Sequence, residues 1–147
     1  MIRMSKLTDY AIVLLAHLAR STKTLTAQEL AERSGVPSPT VSKLCKELSK
    51  VGLVVSHRGR NGGYGLARPA ERISVAEIVE ALEGPIALTE CVSPSRIEAT
   101  CPAKASWDPV SRALQGALQG LPLSAIVPSR TGAAEDAAPV TLGVHLS

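Results

Sequence analysis

Two stretches of the chain carry residues that can do chemistry. The first is "HRGRNGGYGLAR", residues 57–68, where His57, Arg58, Arg60 and Arg68 surround the doublet Gly62-Gly63. A turn this rich in glycine buries little, so its cations face outward, toward a polyanion. The second is the cysteine set. Cys91 and Cys101 lie in an irregular stretch, and Cys45 lies apart from them. An odd number of cysteines makes no disulfide framework, which leaves burial, metal ligation or redox chemistry. Enzyme signatures are missing: no Ser/His/Asp set, no phosphate loop, no zinc spacing and no Cys-x-x-Cys. Enzymatic function is therefore not expected.

The elements that must position the cations read clearly. Residues 8–20 form an amphipathic helix, with Thr8 as its cap and Leu7, Ala11, Leu14, Leu15 and Leu18 as its apolar stripe. "TAQELAERSG" is a short helix with a capping box, Thr26 answered by Glu29, and Gly35 ends it. In "VPSPTVSKLCKELSKVG", Ser38 reads as an N-cap and Pro39 as a first-turn proline. Val41, Leu44, Cys45, Leu48 and Val51 recur at helical spacing, which leaves Thr40, Ser42, Lys43, Lys46 and Lys50 on the other faces. Two short helices joined by a glycine turn outline a helix-turn-helix. Hydroxyls reach base edges and phosphates, and lysines neutralise phosphate charge.

"LVVSH" and "YGLAR" follow as two short strands around the glycine tip. The predicted fold is mainly α: a winged helix-turn-helix of three helices and a two-stranded β wing, with a C-terminal dimerisation helix. "ISVAEIVEALEG" repeats the capping box with Ser74 and Glu77, and its Ile78, Val79 and Leu82 are expected to pack under the wing. "SWDPVSRALQGALQGL" reads as a helix from Ser106 or Asp108 to Gln119, with an apolar stripe of Trp107, Val110, Leu114, Ala117, Leu118 and Leu121. After a finished small domain such a stripe needs another surface. A second copy is the simplest supply, and folding back onto the first helix is the alternative. A homodimer also suits a palindromic site on double-stranded DNA. The expected organisation is a DNA-binding domain over 1–84, a cysteine-containing sensor segment and dimerisation helix over 85–126, and a disordered tail over 127–147.

Charge agrees with this division. Residues 1–72 hold 12 Lys/Arg against 5 Asp/Glu, whereas 73–147 hold 4 against 8. A basic first half followed by an acidic remainder points to a polyanion partner for the first. No apolar run is long enough to span a bilayer, and the N-terminal stretch lacks a small-residue cleavage site, so a cytoplasmic location with no membrane partner is expected. A protein-interaction adaptor that uses the same fold without sequence-specific DNA binding is the competing expectation.

"SKLTDYAIVLLAHLAR", "TAQELAERSGVPSPTVSKLCKELSKVGLV", "RGRNGGYGLARPAERISVAEIVEALEGPIALTEC" and "CPAKASWDPV" together resemble the IscR/BadM-type winged-helix transcription regulators. The nearest likeness is to regulators of the SUF iron–sulfur assembly system, and it extends to about residue 125. The resemblance implies a dimeric DNA-binding regulator, usually a repressor. Ser38, Thr40, Ser42, Lys43, Lys46, Arg58, Arg60 and Tyr64 would then be its DNA-binding residues. It also implies an iron–sulfur cluster, [2Fe–2S] or related, held in many members by three cysteines and a non-cysteine ligand. Here Cys91 and Cys101 are the candidate ligands, Ser95 stands near the place of a middle cysteine, and Cys45 lies in the apolar stripe of a helix. A four-ligand site needs two further donors. Asp9 of a partner chain is one candidate, and Glu90 or Glu98 another. His17 and His57 are expected to be structural or DNA-facing. A reversible Cys91–Cys101 disulfide and a sensor without metal remain as alternatives.

Overall fold

The fold is that of a computed structural model, which describes residues 3–86 and 104–127. In chain order the elements are helix α1 (Lys6–Arg20), α2 (Ala27–Ser34), α3 (Ser38–Lys50), strands β1 (Val54–His57) and β2 (Gly63–Leu66), a 3-10 turn (Ala70–Arg72), α4 (Val75–Glu83), α5 (Lys104–Gln119) and the one-turn α6 (Leu123–Ile126). This is a mainly helical winged helix-turn-helix with a two-stranded antiparallel wing, as expected.

The core is aliphatic. Leu14, Leu15 and Leu18 of α1, Leu30 of α2, and Val41, Leu44, Cys45 and Leu48 of α3 close on Leu25, Leu53, Ile73 and Ile78. Between α2 and α3 the chain reverses at Gly35, whose φ of 72° is left-handed and whose N–H donates to Ala31 O at 2.9 Å. A side chain would resist that conformation. Both capping boxes form at the residues expected. Thr26 Oγ1 accepts from Glu29 N and Ser74 Oγ accepts from Glu77 N, and each glutamate carboxylate reaches back to its cap N–H.

Several local expectations are corrected. Helix α1 starts earlier than Thr8, with Ser5 as its cap. Thr8 is buried, and its hydroxyl donates to the Glu83 carboxylate at the end of α4, which also accepts from Ser5 N–H at 2.8 Å. The inward position of the first turn is thus taken by Thr8, while Leu7 is 40% exposed. The hydrogen bonds from Ser5 and Thr8 hold the Glu83 carboxyl below the usual range. Pro37, not Ser38, is the N-cap of α3. Val41 N–H reaches Pro37 O at 3.0 Å and closes the first turn, so Ser38 is already helical and Pro39 follows it. Strand β1 starts one residue later than expected, and β2 starts one residue earlier, at Gly63, and ends two residues earlier, at Leu66. Helix α4 packs mainly on α1, α3 and α5. Its tie to the wing is the ion pair from Arg68, in the stretch after β2, to Glu77 at 2.7 Å.

Helix α5 begins at Lys104, before the expected start, and lies on α4, with Gln115 donating to Glu80 at 3.2 Å. Beyond it the chain returns to the body. Leu123 N–H donates to Ile73 O at 2.6 Å and Val75 N–H to Leu121 O at 2.8 Å, which buries Leu123 and Val127 in the main core. The second segment is therefore stitched to the first, and Val127 belongs to the core rather than to a tail. Residues 128–147, where the rest of that tail was expected, lie outside the described residues.

Candidate nucleic-acid interface

Helix α3 sorts its residues by chemistry. Val41, Leu44, Cys45 and Leu48 face the core, whereas Val51, expected in the same stripe, is the C-cap and is 49% exposed. This turns Ser38, Ser42, Lys43 and Lys46 to the surface and leaves Thr40 half-buried. Ser38, Ser42 and Lys46 stand four residues apart, on one ridge of the helix. No side chain caps the N-terminus of α3, and a helix start in that condition favours a phosphate. At the other end, Lys50 is engaged by Glu47 at 2.9 Å, so its charge is partly answered within the helix.

The wing leaves the body beside this helix. Leu53 N–H donates to Leu48 O at 3.0 Å, and β1 then packs on α3. The register pairs Val54 with Leu66 and His57 with Gly63, which sets Arg58 and Arg60 on the exposed tip. Gly62 N–H closes that tip on Gly59 O at 2.9 Å. Beside the wing tip an open cleft of about 310 Å³ is lined by Thr26, Ser56, His57, Arg60 and Tyr64 among others. It gathers an arginine, an imidazole and several hydroxyls beside the start of α2, a chemistry suited to an anionic backbone. Tyr64 is half-buried there and packs against the core.

The structure thus brings Ser38, Ser42, Lys43, Lys46, Arg58 and Arg60 to the surface, on α3 and on the wing that runs from its end. Asp9, the candidate ligand on α1, is exposed in that helix's first turn, where its carboxylate is available to another chain. Cys45 does not fit a ligand's role. It is buried in the core, and burial pushes its thiol up to about 11, against the thiolate that a metal requires. The other proposed ligands, Cys91, Cys101, Glu90 and Glu98, lie outside the described residues, as does Ser95. Among the described residues no group of three or more His, Cys, Asp or Glu is placed to hold a metal. His17 is half-buried in α1. Burial first, then the charges of Arg20 and Arg33, lower its pKa, which fits a structural histidine.

Two contacts that hold the wing escape sequence reasoning, and one of them pairs Arg68, expected as an outward-facing cation, with Glu77. Arg68 braces the chain after the wing against α4, and Thr24, before α2, donates from its hydroxyl to Asn61 O in the wing tip at 2.9 Å. The local pattern around Thr24 shows only a polar break. Its partner is 37 residues away.

A helix-turn-helix with a sealed core, a polar third helix and a cation-tipped wing defines a DNA-binding regulator. Residues 4–129 match the Rrf2 family, described as "Iron-dependent Transcriptional regulator", and the chain belongs to that family. It is 41% identical over 87 residues to a putative HTH-type transcriptional regulator, rrf2-like, of Rhodobacter capsulatus, a match that spans 58% of this chain and 58% of that relative. It is 31% identical to the HTH-type transcriptional repressor NsrR of Streptomyces coelicolor, with 97% of this chain and 95% of that protein covered. Among solved structures, T. potens IscR superposes with a TM-score of 0.66 at 27% identity, covering 85% of each chain. These relatives are transcription regulators, not enzymes. Among the described residues no helix is long and apolar enough to cross a membrane.

Proposed function

We propose that the chain acts as a homodimeric repressor that reads a palindromic duplex through α3 and the wing. Ser38, Thr40, Ser42, Lys43 and Lys46 face the major groove, Arg58 and Arg60 grip the adjacent backbone or minor groove, and Tyr64 braces the base of the wing. The observation that carries this reading is the polar, lysine-bearing surface of α3, whose Val41, Leu44, Cys45 and Leu48 are sealed in its own chain. That surface needs no intramolecular partner. Residues 1–84 do the binding. The segment 85–126 supplies the sensor and the dimer helix, and the tail after it has no assigned role.

The family description as iron-dependent and the retention of Cys91 and Cys101 support a sensor for iron–sulfur assembly, SUF or related redox genes. Cys91 and Cys101, with Asp9 of a second chain and Glu90 or Glu98, would hold an iron–sulfur cluster. Bound there, it would supply a redox-sensitive charge between subunits. The competing state is a Cys91–Cys101 disulfide.

Neutralising Lys43, Lys46, Lys50, Arg58 and Arg60 together tests the DNA reading. Each phosphate contact contributes about 0.9 to the slope of log affinity against log salt, so the slope should fall by up to about 4.5 for each subunit, or about 9 for the dimer. An unchanged slope and footprint would leave the adaptor role as the better account. For the sensor, anaerobic purification should give a coloured protein with iron and sulfide in equal amounts. An iron-free protein that still binds its operator removes the cluster, and a redox response that survives Cys91→Ser removes the disulfide.

A further inference from the structure

The connection between α1 and α2 also forms an edge of the wing. Leu25 N–H donates to Tyr64 O at 2.9 Å, and Tyr64 N–H donates to Leu25 O at 2.7 Å. This antiparallel bridge adds a third, one-residue strand beside β2. The approach is close. A Cβ on Gly63, whose φ is 149°, would stand 2.7 Å from the Leu25 carbonyl carbon and oxygen. One residue earlier, Thr24 Oγ1 donates to Asn61 O at 2.9 Å. Asn61 follows Arg60 directly in the tip. The Gly62–Gly59 bond is internal to the tip, whereas the Thr24 bond joins the tip to the body.

We propose that Thr24 is a positioning residue for DNA recognition, its hydroxyl fixing the Asn61 carbonyl and with it the direction in which Arg58 and Arg60 leave the wing. The inference rests on the DNA-binding reading above. Arginines on a glycine-rich turn lose conformational freedom when they bind, and a tip already held loses less. Thr24 lies two residues before the Thr26 cap of α2, so the same short segment sets the wing against the helix-turn-helix. The two DNA-reading parts are thereby held in one frame.

The test compares Thr24→Val with Thr24→Ser in the full-length chain. Valine keeps the shape and removes the donor, and serine keeps the donor. Without DNA, the Gly62 amide should exchange with solvent faster in the valine variant and at the wild-type rate in the serine variant, with core amides unmoved. Equal exchange in all three proteins overturns the proposal. With a duplex that the wild-type chain selects from a random pool, Thr24→Val should weaken binding by about two- to tenfold, the usual effect of one hydrogen bond. In an Arg58→Ala/Arg60→Ala background, where the tip has lost both cations, the same change should have little further effect. An equal loss in both backgrounds means that Thr24 does not act through the tip, and it also overturns the proposal. If the wild type selects no duplex, the DNA reading fails, while the exchange measurement still decides whether Thr24 holds the tip.

Discussion

Helices α3 and α5 are both amphipathic and of similar length, 13 and 16 residues, yet they turn opposite chemistry inward. Helix α3 buries Val41, Leu44, Cys45 and Leu48 and exposes serine and lysine. Helix α5 leaves Trp107 44% and Val110 45% exposed, while Ser111 is 4% exposed with its hydroxyl unpartnered. The apolar demand of α3 is met within its own chain, so its polar face is free for a polar ligand. That of α5 is not met there, and a flat apolar strip in water favours a second protein surface. Folding back onto α1 was the alternative; α5 packs on α4 instead, with Trp107 still exposed. On the proposed function, the first helix serves a polyanion and the second serves another copy of the chain.

This contrast can be broken by substitution. The largest effect is expected from Leu48→Ala, since Leu48 is fully buried in the core. It should cost about 2–5 kcal/mol in urea unfolding, and a loss below about 1 kcal/mol would mean that α3 is not sealed as described. Trp107→Asp should instead leave helix content unchanged and weaken self-association by about 2 kcal/mol or more, as removal of an aromatic anchor does. Sedimentation equilibrium reads this directly, and a variant that remains fully dimeric would remove α5 from the interface. Gly116→Ala sharpens the same point. A Cβ at Gly116 meets no heavy atom within 4 Å, so alanine should stabilise α5 by about 0.5–1 kcal/mol. Loss of dimer in that variant would show that the partner packs against Gly116.

The smallest effect is on pH dependence. Hydrogen bonds from Thr26 lower the Glu29 pKa, and those from Ser5 and Thr8 lower that of Glu83. Their stabilisation is present above the unfolded value of about 4.3 and is lost as pH falls through the lower folded values. His17, lowered by burial and then by Arg20 and Arg33, has the same sign. Stability should therefore decline gently below about pH 6.5 and again below about pH 4.3. Glu83→Ala should flatten the acid step by less than about 1 kcal/mol, because the carboxylate is exposed. Chemical denaturation across pH checks the sign, and a gain in stability on acidification would contradict it.

Much of the fold was legible because the signals are local. Each capping box needs four residues, and both formed at the residues read. The stripe of α3 repeats over three turns, and the glycine tip marks the wing. The errors occurred where a distant group decides. Thr8 fits the pattern of a cap, but Glu83, 75 residues away, takes its hydroxyl and leaves the cap to Ser5. Helix α6 is four residues long, too short to show a period, and exists because residues 121–123 pair with 73–75. Thr24 has no local signal at all. Of the candidate site, the exposed hydroxyls and cations were legible, whereas the contacts that aim them were not.

The sequence by itself determined the helix-turn-helix, its lysine-bearing helix and the cation-tipped wing, because periodicity, caps and turn residues act over a few neighbours. Only the tertiary structure decided that α5 keeps its tryptophan uncovered, that Leu123 and Val127 join the first core, and that Thr24 anchors the wing. Those outcomes depend on which surfaces meet across long stretches of chain, and such meetings are settled by packing and hydrogen bonding between segments that carry no mark of one another.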